Sequence, residues 1–174
     1  MRKTLHKISD FLNKCVVPIG CVIFVVLVLA TVTQVVCRYF LKTSATWTEE
    51  LARFCFIWST MLGSSVLVKH GGHPAVDALS RKLKGRAKAA QEIFVCLVIL
   101  AVCFIGIRYG FQLVGKTVRQ LSPALRIPYG YIYLSFPVGC IFSAVHLLAQ
   151  LADAVSALLH PAGDTNLPDT KEVA

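Results

Sequence analysis

Residues 46–77 read TWTEELARFCFIWSTMLGSSVLVKHGGHPAVD and put charge at the lip of an otherwise apolar run. Thr46 followed by Glu49 has the spacing of a capping box, in which hydroxyl and carboxylate each take up a free N–H of the first turn, so a helix is predicted to start here. Glu49 and Arg53 stand four apart in the favourable acid-then-base order. Side chains lean toward the N-terminus of a helix, so the guanidinium reaches back to the carboxylate. No further charge appears before Lys69. Leu51 to Val68 therefore reads as a membrane span, with Trp47 at the interfacial level and Lys69 at the far end.

On a helical wheel this span has two unlike faces. Ala52, Cys55, Ser59 and Gly63 form a small side that admits a neighbouring helix. Phe54, Trp58 and Met61 form a bulky side, which is either lipid contact or a docking face for another membrane protein.

The rest of the chain repeats the pattern. Its 174 residues are 56% hydrophobic, and a mean hydropathy of +0.66 is too high for an ordinary soluble domain. Further apolar runs lie at about 16–37, 93–114 and 129–151, each near the ~20 residues that cross a bilayer. The fold class is thus an all-α integral membrane protein with four transmembrane helices in one membrane domain, residues 1–160, followed by a disordered tail, 161–174. Nothing is left for a separate nucleotide-binding module, and no Gly-rich phosphate loop is present.

The net charge of +9 follows the membrane rather than a nucleic acid. With the N-terminus inside, the cytoplasmic segments hold eleven Lys and Arg and the outer loops five, namely Arg38, Lys42, Lys116, Arg119 and Arg126. The positive-inside rule then places both termini in the cytoplasm. Two amphipathic surface helices are expected on that side, one around Leu5, Ile8, Leu12 and Cys15, the other around Val76, Leu79 and Leu83. The apolar run from Val16 is too long for a cleaved signal peptide and lacks its small-residue site, so it reads as an uncleaved anchor.

Several chemistries find no support. The seven cysteines form no CxxC pair, and they read as small buried hydrophobes. His70 and His73 lack further ligands at zinc spacing. His146 alone does not make a pair of axial haem ligands, and it reads as a wet or hydrogen-bonded side chain. No cofactor, metal or catalytic residue is assigned.

The third span carries Gly106-x-x-x-Gly110, a close-packing pattern, with Arg108 between the glycines. Arg108 lies inside the hydrocarbon and calls for an acid; the second and third spans run antiparallel, which puts it level with Glu50, or failing that Glu49, and Glu50 is the first candidate because Glu49 already suits Arg53. Lipid phosphate or another subunit are the other options. Pro137 is predicted to kink the fourth span, and Gly139 with Ser143 offers another small-residue contact.

Trp47-Thr48-Glu49-Glu50 with Ala52-Arg53, Gly71-Gly72-His73 with Val76-Asp77, and Ser122-Pro123-Ala124-Leu125 with Ile127-Pro128, Gly130, Tyr133-Leu134 and Pro137-x-Gly139 occur in this order over the four spans. In these motifs the chain resembles the small membrane subunit, DctQ-like, of tripartite ATP-independent periplasmic (TRAP) transporters. Two positions depart from the family pattern: Pro74 replaces an aliphatic residue, and Arg126 stands where glycine is common.

The resemblance implies a bacterial inner-membrane protein that is not an enzyme. Its partners would be a large TRAP membrane subunit, which holds the substrate and ion sites, and a periplasmic substrate-binding protein. Uptake of organic acids would be driven by an ion gradient, usually sodium, with the small subunit bracing the large one and helping to dock the binding protein. The chain agrees in having no pair of broken helices of the kind that builds ion sites. Glu49, Glu50, Arg53, Arg108, Phe54, Trp58 and Met61 are the structural or docking candidates, and Lys42, Lys116, Arg119 and Arg126 would form a basic outer surface for the binding protein. The competing readings are an independent small carrier, with Arg53 and Arg108 as pathway residues, and the membrane anchor subunit of a redox enzyme.

Overall fold

The structure, a computed structural model, describes residues 2–43, 45–70 and 86–159. The described chain forms α1 (Arg2–Tyr39), α2 (Thr46–Lys69), α3 (Arg86–Thr117), a single turn α4 (Tyr129–Tyr133) and α5 (Ser135–Leu159). Four segments are long and apolar enough to cross a membrane: His6–Tyr39, Thr46–Lys69, Ala90–Thr117 and Tyr129–Val155. The ends joined by the 40–45 connection and the 118–128 connection lie at one end of the bundle, here the loop end, and the start of α1 and the end of α5 lie at the other.

The expected N-terminal surface helix is not separate from the first span. Alpha-helix α1 runs unbroken for 38 residues, about 57 Å at 1.5 Å per residue and well beyond a hydrocarbon core. Polar contacts with α5 hold its early turns upright. The buried Ser9 hydroxyl and His146 Nδ1 share a hydrogen bond of 2.7 Å, and His6 Nε2 lies 2.9 Å from the Asp153 carboxylate. The second expected surface helix, with the Gly71-Gly72-His73 motif and Pro74, lies outside the described residues, as does the 161–174 tail.

Alpha-helix α5 is the centre of the bundle. It packs on α1, α2 and α3, whereas among the described residues α3 touches neither α1 nor α2. The core accordingly runs along α5, with Leu147 between Val68 of α2 and Cys96 and Cys103 of α3. The seven cysteines are free thiols, and Cys96 and Cys103 fill the packed role expected of them.

Glycine sets how closely the helices approach. A Cβ on Gly110 would lie 3.1 Å from Cδ of Pro137, and one on Gly106 would lie 2.9 Å from Sγ of Cys140. The Gly106-x-x-x-Gly110 pattern is therefore the α3–α5 seam. Gly139 plays the same part toward α2, where a Cβ would meet the Met61 carbonyl oxygen at 3.1 Å.

The fourth span breaks where proline requires it. Pro137 has no N–H to give to the Tyr133 carbonyl and its ring crowds that group, so α4 ends at Tyr133 and α5 begins at Ser135. Polar residues elsewhere in the spans satisfy themselves locally. Ser59, Thr60, Ser64 and Ser65 of α2 donate to carbonyls three or four residues back at 2.7–2.8 Å, which spares their hydroxyls an unmet hydrogen bond in lipid.

Candidate functional site

The most closely specified polar structure is at the loop end. Between α3 and α4 the chain folds into a small hairpin: Tyr129 N–H donates to Gln120 O at 2.8 Å, Ser122 N–H to Ile127 O at 3.0 Å and Arg126 N–H to Ser122 O at 3.2 Å. Ser122 is fully buried, and its hydroxyl accepts the Ile127 N–H at 3.3 Å. The hairpin tip leaves the Ala124 and Leu125 N–H groups pointing at α2. Both donate to Glu50, to Oε1 at 3.1 Å and to Oε2 at 2.9 Å. One carboxylate thus clamps two successive backbone donors and fastens the loop before the fourth span to the start of the second. Charge-assisted bonds of this kind are roughly twice as strong as neutral ones.

This geometry corrects the expected Arg108–Glu50 pair. Glu50 is committed to the hairpin, and α5 stands between α2 and α3. Arg108 is exposed and takes part in none of the ion pairs found among the described residues. Glu49 behaves as its spacing predicts, with Oε1 accepting from Arg53 Nη2 at 3.0 Å. The capping box does not form, however. The cap residue is Ala45, with no side-chain cap bond, and Thr48 turns its hydroxyl to the Ala45 carbonyl at 2.7 Å. With Glu49 drawn to Arg53, no carboxylate returns to the first turn.

The bulky face of α2 is turned in part toward its own bundle. Phe54 is buried and meets Tyr129 edge to face, ring centroids 6.2 Å apart. Met61 lies under Gly139, and both Met61 and Trp58 are half-buried. Phe54 thus meets α4 and Met61 meets α5. On the small face Ala52, Cys55 and Ser59 are half-buried and Gly63 is open.

The basic candidates are exposed side chains of the loop end. Lys42, Arg53, Lys116, Arg119 and Arg126 are all exposed. An open cleft between α1 and α2 is lined by Gln34, Arg38, Lys42, Thr43, Ala45 and Glu49. A second, against the hairpin, is lined by Glu50, Arg53, Pro123, Ala124 and Tyr129 among others. Arg126 has φ of 56° and Lys42 has φ of 50°, the left-handed region that favours glycine.

Sequence reasoning missed the network at the opposite end. Besides the Ser9–His146 and His6–Asp153 contacts, Lys69 Nζ donates to Asp10 Oδ1 at 2.8 Å, and Gln150 Nε2 donates to the Val68 and Lys69 carbonyls at 2.5 and 3.3 Å. Gln150 thereby caps the last carbonyls of α2 from α5. A signal was present in the sequence: His146 and Gln150 stand four apart in an apolar run, one helical face carrying two polar side chains that need partners.

Comparison with known proteins agrees with this architecture. The family model for tripartite ATP-independent periplasmic transporters, DctQ component, matches residues 27–157. The sialic acid TRAP transporter small permease protein SiaQ of Vibrio cholerae is 24% identical over 169 residues, which cover 97% of this chain and 94% of the relative. The ectoine TRAP transporter small permease protein TeaB of Halomonas elongata is 28% identical over 122 residues, 68% of this chain and 62% of the relative. The isethionate TRAP transporter permease protein DctMQ of Oleidesulfovibrio alaskensis is 37% identical over 114 residues, which are 64% of this chain but 18% of that much longer relative. With four spans, the loop-end motifs in place and a family match over the greater part of its length, the chain belongs to the DctQ component family of TRAP transporters.

Proposed function

We propose that this transporter component, which is not an enzyme, is the small permease subunit of a bacterial inner-membrane importer of organic acids, driven by an ion gradient with sodium as the coupling ion. In this reading it braces a large membrane subunit, its loop end faces the periplasm, and the basic surface there helps to receive a substrate-binding protein. The observation that carries the bracing role is the uneven burial of the spans. The fourth has 44% of its apolar window buried, whereas the first has 11% and the third 17%, so both flanks are available to a larger partner. The long DctMQ relative supports the same reading, because there the matching segment is a minor part of a single permease chain. Among the described residues only the fourth span is interrupted, near its loop end, and a single such break does not make the paired broken helices that hold ions at mid-membrane.

The decisive experiment is reconstitution. Vesicles holding this chain with the large permease subunit and supplied with binding protein take up an organic acid under a sodium gradient, and vesicles lacking either membrane chain do not. Charge reversal at Lys42 and Lys116 lowers uptake at limiting binding protein, more so at low salt, because exposed charges act within a Debye length of ~8 to 10 Å. Uptake by this chain alone would overturn the reading in favour of an independent carrier.

A further inference from the structure

Arg108 sits on the side of α3 that the fold leaves uncovered. The buried residues of this helix, Cys96, Cys103, Gly106, Gly110 and Thr117, form one face toward α5 and α4. At 100° per residue, Arg108, Gln112, Gly115 and Arg119 fall on the opposite face, and all four are exposed. A Cβ built on Gly115 meets nothing within 4 Å.

The contacts of α3 with the fourth span fix the depth of Arg108. Val118 lies against Gly130, within the tyrosine-rich turn α4, whereas Gly110 meets Pro137 and Gly106 meets Cys140. Arg108 is therefore level with the stretch between Pro137 and Cys140, nine residues or about 13.5 Å along the helix from Thr117. A cation at that depth without an anion is disfavoured, and intramembrane charges as a rule find a partner.

The described residues do not supply that partner. Glu49 and Glu50 are the only carboxylates in the loop half of the described chain. Glu49 holds Arg53 and Glu50 holds the hairpin. A second copy would bring the same two engaged carboxylates and another Arg108. Lipid phosphate at the loop end is a poor match, because Cβ vectors point toward the helix N-terminus and so carry the Arg108 side chain away from those headgroups.

Resting on the small-subunit reading above, we infer that the Arg108, Gln112 and Gly115 face of α3 is the seam against the large permease subunit, where a carboxylate in one of that subunit's spans meets the Arg108 guanidinium. Gln112, one turn nearer the loop end, adds an amide that both donates and accepts, and Gly115 admits the partner backbone closely.

The test co-expresses the two subunits, with a purification tag on the large one and a photo-crosslinking residue at position 112 of this chain. A crosslink from position 112 to the large subunit is expected, whereas one to a second copy, or none to protein, overturns the seam. Arg108→Glu is expected to cut the amount of this chain recovered with the large subunit by about tenfold or more, with Arg108→Lys retaining most of it. Expressed alone, Arg108→Glu keeps the wild-type thermal unfolding, since Arg108 has no ion-pair partner among the described residues; should that variant misfold, the crosslink in the Arg108 background still decides. Wild-type chain that brings down no large subunit refutes the small-subunit reading itself. A wild-type complex that survives Arg108→Glu unchanged refutes only this seam.

Discussion

The first span carries the most apolar window of the four and buries 11% of it, whereas the fourth, punctuated by Ser135, Pro137, Gly139, Ser143, His146 and Gln150, buries 44%. In a water-soluble protein the ranking would be reversed. A bilayer is as apolar as leucine, so burial in it offers no general reward to a hydrophobic helix. Helices instead join where small residues let backbones approach and where polar groups find each other. The fourth span has both features on several sides, and so it becomes the element that the other three touch.

Glycine tests this contrast with the largest expected effect. Gly110→Leu must push against the Pro137 ring, and overpacking of this kind costs about 3 kcal/mol at the upper end of its usual range. Gly20→Leu, in the open surroundings of α1, should leave stability unchanged or raise it by up to ~1 kcal/mol through helix propensity. Thermal unfolding in detergent of the two variants side by side measures the difference, and equal losses would break the comparison.

A smaller effect tests the polar half of the argument. Ser9→Ala takes the partner from the buried His146 ring, and leaving such a group unmet costs about 1 to 2 kcal/mol. Ser9→Ala combined with His146→Phe should cost less than the two single changes added together, because nothing polar is then stranded. Additive losses in the same unfolding assay would show that the hydrogen bond does not fasten α1 to α5.

The smallest expected change is a gain. Arg126→Gly relieves a left-handed residue in the hairpin that leads into the fourth span. The conformation costs an L-residue ~1 to 2 kcal/mol, and part of the relief is lost to the greater freedom of glycine in the unfolded chain, leaving about 0.5 kcal/mol. A fall in stability would mean that the Arg126 side chain holds the hairpin through contacts of its own.

What could be read from the sequence divides along the same physical line. Apolar length gave the four spans, the Glu49–Arg53 spacing gave a local pair, and the glycine and proline positions gave a seam and a break. These depend on neighbours in sequence or on backbone chemistry. The order in which the helices lie side by side is another matter, because lipid-facing and partner-facing apolar surfaces have the same composition. An antiparallel succession suggested that α2 and α3 adjoin, and from that followed the mistaken Arg108–Glu50 pair. The bulky stripe of α2 is ambiguous for the same reason: nothing in Phe54, Trp58 and Met61 themselves tells lipid from a neighbouring helix. Ser9 and His146, 137 residues apart, meet only because α1 continues past the membrane core instead of turning along its surface.

The grip of Glu50 on Ala124 and Leu125 joins positions 74 and 75 residues apart in the chain. A ribosome releases the first hairpin, α1 with α2, well before it has made the residues that Glu50 will hold. The newly made carboxylate must wait in water at the membrane surface until α3 has been threaded and the following loop emerges. The clasp thus ties a residue of the first hairpin to a loop made only after the third span, and it can close no earlier than that loop.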